Sequence, residues 1–145
     1  MITAVPFEPW HLLALERDTS ERKALQAQFR QKCGIAYTAI DGDMILGCAG
    51  IIADKGVGGA WALVSDEIKQ NHKFWFLRTT RMMLIAIVKA LNLHRIEALV
   101  DPNIKPNCQW IEWIGFEFEV LKKRGGENGM DMLSYVLLPK VNNHE

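Results

Sequence analysis

The run FWFLRTTRMMLIAIVKALNLHRIEALV, residues 74–100, decides the fold. Its first eighteen residues, 74–91, spread apolar side chains over a wide helical face and gather Arg78, Arg81 and Lys89 on one side of the wheel. That pattern predicts a long helix laid flat on a sheet. Asn92, Leu93 and His94 make a short connection, and 95–100 follow as a strand with Ile96, Ala98, Leu99 and Val100 apolar. A strand also precedes the helix, at 60–64. A strand, a helix and a strand in that order form a crossover, which demands one parallel strand pair.

Toward the N-terminus, residues 1–5 read as a strand punctuated by Pro6 and Pro9. Residues 10–17 read as a short helix with His11 and Glu16 on its polar side. Thr19 and Ser20 suit the N-cap of a second helix over 21–32, with Gly34 as the cap that ends it. A meander follows: strand 35–40, the turn Asp41-Gly42-Asp43, strand 44–53, a glycine-rich turn over 54–59, and strand 60–64. Residues 65–73 read as a polar stretch. Toward the C-terminus, 101–106 is a loop, 107–114 a short helix stopped by Gly115, and 116–121 with 130–138 a hairpin around Gly125, Gly126 and Gly129. Residues 139–145 read as a flexible tail.

The predicted fold class is therefore α+β, a mostly antiparallel central sheet of about seven strands with one parallel crossover and flanking helices. The 145 residues suit a single domain, and no repeat or Ser/Gly linker divides them.

The composition excludes several functions. Lys plus Arg and Asp plus Glu are equal at 17 each, so no global field draws the chain to nucleic acid or anionic lipid. Cys33, Cys48 and Cys108 are odd in number and lack C-x-x-C spacing, which speaks against a disulfide framework or a zinc site. Cys48, in an apolar strand, reads as packing. The four histidines are scattered without ligand spacing, so no metal is expected. The longest strongly apolar run, 82–88, is too short for a bilayer and the N-terminus has no basic signal region, so a soluble cytoplasmic protein, or one packaged inside something, is expected. Lys122, Lys123 and Arg124 read as a solvated turn or a contact for an acidic partner. Most of the five tryptophans are expected in the core.

The element order and the segment 107–116, NCQWIEWIGF, resemble the GNAT (GCN5-related N-acetyltransferase) superfamily over residues 2–138. In that family the corresponding helix commonly ends in Gly-Phe; here Gly115 permits the left-handed turn and Phe116 enters the sheet. Residues 61–66, WALVSD, resemble the fourth strand of GNAT-like proteins of tailed bacteriophages. The resemblance implies acetyl-CoA as co-substrate, with its pantetheine arm paired to the backbone of Ala62, Leu63 and Val64 between parted fourth and fifth strands. It implies pyrophosphate at the start of the long helix, on amides of Asn71, His72, Lys73, Phe74 and Trp75.

The family's phosphate loop carries glycines, whereas residues 65–78 contain none; Lys69, His72 and Lys73 offset part of that loss by charge. The family's proton-donating tyrosine corresponds to Ile111, which cannot donate. Asp66 and Glu67 are the candidate general bases, with Asp66 alternatively a helix cap. Glu97 and Asp101 are weaker candidates, and Asn107 is either a cofactor contact or an N-cap. Two functions stay open: an N-acetyltransferase acting on an unidentified primary amine, or a non-catalytic protein on the same fold, a virion component or a binder of a host protein. The family often dimerises, so a homodimer is compatible with either.

Overall fold

The computed structural model describes residues 1–15 and 33–140. The helix expected over 21–32, its caps Thr19 and Ser20, Glu16, and residues 141–145 of the expected tail lie outside the described residues. Seven strands form one sheet in the order β1-β2-β3-β4-β5-β7-β6. They are β1 Ile2–Pro6, β2 Cys33–Asp41, β3 Met44–Asp54, β4 Val57–Val64, β5 Arg95–Val100, β6 Glu117–Lys122 and β7 Met132–Leu137. All pairs are antiparallel except β4 with β5. Among the described residues, three α-helices accompany them: α1 Asp66–Asn71, α2 Lys73–Leu91 and α3 Lys105–Ile114. The fold class read from the sequence is the observed one.

Helices α2 and α3 cover one face of the sheet, where Leu84, Ile87, Ile51, Ile96, Phe116 and Tyr135 share a buried cluster. The opposite face buries Cys48 and Leu63 under Leu12 and Leu15 of the N-terminal segment. Asn92, in the left-handed conformation, ends α2 (φ 50°, ψ 52°). Gly115 ends α3 with φ 122°, and Phe116 behind it is buried, as the Gly-Phe junction requires.

Several local expectations need correction. Gly34 is not a helix cap: it lies in β2 opposite Ile52. The turn expected over 54–59 shrinks to Lys55 and Gly56, and Gly58 and Gly59 belong to β4. A Cβ at Gly58 would stand 2.6 Å from Ile51 Cγ2, so the glycine serves packing within the strand. The stretch 65–73 is not a loop. Asp66 and Glu67 occupy the first turn of α1, where carboxylates complement the helix dipole, and Ile68 anchors it in the core. Asn107 does not start its helix: α3 begins two residues earlier with Pro106 in its first turn and Ile104 at the cap position.

His11, expected on a polar helix face, is buried in a 3₁₀ turn spanning Pro9–Ala14. Its Nδ1 accepts the Glu8 N–H at 3.1 Å, and the Thr38 hydroxyl oxygen lies 2.7 Å from the same nitrogen. Thr38 Oγ1 stands 3.5 Å from Cys48 Sγ, and burial pushes that thiol up to about 11. Cys48 is thus a packed, inert thiol, as its strand position suggests.

Candidate active site

Strands β4 and β5 pair over only three positions: Val57 with Arg95, Gly58 with Ile96 and Gly59 with Glu97. Beyond them β4 stays bonded to β3 as far as Val64, and β5 stays bonded to β7 as far as Val100. Each strand is held by its outer neighbour while the two inner edges part. The result is a wedge whose facing strand edges can accept an extended chain.

A cleft of about 460 Å³ occupies the wedge and continues beneath α2. Directly paired residues share a sheet face, so Ala4–Ala39 and Tyr37–Ala49–Ala62 build its floor. The alanines there leave room under Thr79, Thr80 and Met83 of α2, which also line the cleft. Asn107, Trp110 and Ile111 of α3 form the side wall. Among the described residues lining it, Lys69 is the one cation and Asp101 the one carboxylate. Asp101 closes β5, and its Oδ1 accepts the Asn103 N–H at 2.9 Å, which fixes the carboxylate.

Of the residues singled out from the sequence, Ala62, Leu63, Val64, Lys69, Trp75 and Asn107 line the cleft. Asp66, Glu67, Asn71, His72, Lys73 and Phe74 lie outside it. Glu67 Oε1 accepts from Asn71 Nδ2 at 3.1 Å and stands 3.6 Å from His72 Nε2, so these three form a surface cluster on α1. Phe74 is 70 % exposed, with the Lys73 ammonium 5.3 Å from its ring centre. Glu97 is held by Arg95, which also binds Glu119.

Three of the five tryptophans, Trp61, Trp75 and Trp110, pack against the core clusters as expected and also line the cleft, whereas Trp10 and Trp113 are exposed. Sequence reasoning also missed Thr79 and Thr80. Two hydroxyls interrupting an otherwise apolar helix face were the available signal. Ile111 faces the cleft, so hydrocarbon stands where the resemblance puts a proton donor. Tyr135 does not substitute: it sits in the core, its hydroxyl donates to Glu112 Oε2 at 3.2 Å, and burial pushes its pKa up to about 12. Among the described residues, no group of His, Cys, Asp and Glu gathers to hold a metal, and no helix is long and apolar enough to cross a membrane.

Solved structures share this architecture over nearly the whole chain. The ribosomal-protein-S5-alanine acetyltransferase of Vibrio fischeri superposes with a TM-score of 0.72 at 14 % identity, covering 94 % of this chain and 92 % of its own. The IAA acetyltransferase of Bacillus cereus gives 0.73 at 11 % identity, covering 96 % and 100 %. A GNAT-family acetyltransferase of Streptococcus pneumoniae gives 0.66 at 19 % identity, again covering 96 % and 100 %.

The chain has the GNAT fold.

At these identities the likeness speaks for the GNAT fold alone. No protein-family model matches the sequence, and no curated protein matches it.

Proposed function

We propose that this protein is an N-acyltransferase that moves an acyl group, in the simplest case acetyl, from a CoA thioester to a primary amine. A GNAT fold by itself does not carry an activity. The observation that supports the reading is the parting of β4 and β5 beyond Gly59 and Glu97, with a cleft running through the gap. A pantetheine arm is an extended chain with amide groups, and the edge of β4 at Ala62, Leu63 and Val64 offers it a strand to pair with. Lys69, together with the amides of Lys73, Phe74 and Trp75 in the first turn of α2, takes the phosphate end; the His72 N–H is already held by the Ile68 carbonyl. Asn107 stands within the same wall as a polar contact.

Asp101 is the general base in this reading, because among the described residues it is the one carboxylate lining the cleft. Asp66 and Glu67 do not line the cleft. The amine attacks the thioester carbonyl, a C–N bond forms, the C–S bond breaks, and Asp101 takes the amine's proton. The departing thiolate takes a proton from water, since Ile111 offers none.

A second reading is a non-catalytic protein of the same fold, such as a phage virion component or a binder of a host protein. Ile111 and the folding of the glycine-free segment into α1 favour it.

Titrating acetyl-CoA into the protein, followed by an amine screen that detects released thiol, separates the two. Micromolar binding with amine-dependent thiol release supports the enzyme. Binding without release from any amine supports the second reading. No binding at millimolar acetyl-CoA rejects acetyl-CoA as the acyl donor.

A further inference from the structure

We propose that the donor reaches the cleft as a phosphopantetheine thioester carried on an acidic protein, which docks on the outward face of α2. The proposal rests on the reading of the wedge as a pantetheine site and names the donor class.

Charge is segregated in this chain. Acids and bases are equal overall, yet the nineteen residues of α2 hold Lys73, Arg78, Arg81 and Lys89 and no Asp or Glu. Three of these cations, Arg78, Arg81 and Lys89, share one face with Phe74, Met82 and Ile85, at spacings of four, seven, eight, eleven and fifteen residues from Phe74. The three apolar side chains are 70 %, 61 % and 57 % exposed. From α3, Trp113 joins them, half exposed, with the Arg81 guanidinium 5.5 Å from its ring centre. Exposed aromatic, Met and Arg side chains are what protein interfaces collect, and a rigid ring holding an Arg is a suitable anchor. A second copy docked face to face would set cation against cation, so the complementary partner is anionic.

The cleft narrows the choice. Among the described residues lining it, the one cation is Lys69, enough for a single phosphate. CoA brings two further phosphoryl groups, and the segment that would cradle them is a helix with Asp66 and Glu67 in its first turn, which repel them. A phosphopantetheine arm on a protein has one phosphate, and its bearer's carboxylates would meet the cations of α2. The inner face of the first two turns of α2 lines the cleft, through Trp75, Phe76, Thr79 and Thr80, while the outer face carries Phe74 and Arg78. A carrier seated on α2 is therefore one helix diameter from the wedge.

The test measures binding to the full chain of four probes: an acyl carrier protein bearing its phosphopantetheine arm, the same carrier without the arm, CoA, and pantetheine. The loaded carrier is expected to bind at least tenfold tighter than CoA. The variant combining Arg78→Glu and Arg81→Glu is expected to lose at least tenfold for the carrier and to bind pantetheine as the unchanged protein does, which also certifies its fold. CoA binding as tightly as the loaded carrier overturns the proposal, as does a double variant that binds the carrier undiminished. So does binding of phosphatidylserine vesicles in place of the carrier. Failure of all four probes takes down the pantetheine reading of the wedge itself.

Discussion

The rings of Phe76 and Trp110 stand 5.8 Å apart at their centres, tilted by 43°, and join α2 to α3 beside the cleft. Phe76 is buried with Val64, Ile68 and Leu46, and Trp110 packs on that cluster from α3. The pair ties the end of β4, the short helix α1 and both long helices into one wall.

Phe76→Ala is expected to destabilise the protein by about 3 kcal/mol, and Trp110→Ala by less because its ring is partly exposed. The double variant should fall short of the sum by roughly 0.5–1.5 kcal/mol, the coupling of an aromatic pair. Urea unfolding of the four proteins measures it; strict additivity would mean that the rings do not interact.

Asp101→Asn keeps an oxygen to accept the Asn103 N–H and removes the base. Thiol release with a working amine should drop by about 10²–10⁴-fold with acetyl-CoA affinity held within about twofold. Asp66→Asn and Glu67→Gln should each change the rate far less. A larger loss at Asp66 or Glu67 than at Asp101 would move the base to α1.

The two glycines Gly50 and Gly59 should respond differently to alanine. A Cβ at Gly50 would stand 2.4 Å from Ala36 Cβ and 2.6 Å from the Ile35 carbonyl oxygen, whereas at Gly59 the nearest atom is 3.8 Å away. Gly50→Ala is expected to destabilise by roughly 1–3 kcal/mol through overpacking. Gly59→Ala, at the vertex of the wedge, should be near neutral, as thermal unfolding of both variants would show.

His11 makes stability depend on pH. Burial lowers its pKa below the ordinary 6.5, against a smaller opposite pull from Glu8. Below pH 6.5 the unfolded chain takes up a proton that the folded protein refuses, so stability is full above that value and declines as pH falls toward the folded-state pKa. Comparing urea midpoints at pH 7.5 and 5.5 for the protein and for His11→Asn should show a smaller decline in the variant; equal declines would assign the dependence elsewhere.

The legible and illegible parts of this molecule differ physically. Residues 95–100 read as a strand and are one, because a run of apolar residues between a helix end and Asp101 has no competing period. Helix α1 was illegible: Ile68 is its one buried residue, so no periodicity distinguishes DEIKQN from a polar loop. The burial of His11 depends on Thr38, twenty-seven residues away, which no local pattern reports. The wedge is an absence of pairing between strands that each look ordinary, and it was reachable only through the family resemblance. That route brought Ala62, Leu63 and Val64 into consideration but missed Thr79 and Thr80, which line the cleft from α2.

The central claim is that a pantetheine thioester lies along β4 in the wedge. Amide hydrogen exchange with and without saturating acetyl-CoA tests it most directly. The account predicts slowed exchange in β4 beyond Gly59 and at the start of α2, with β1 and β6 unchanged. Unaltered exchange in β4, or protection confined to other strands, would contradict it.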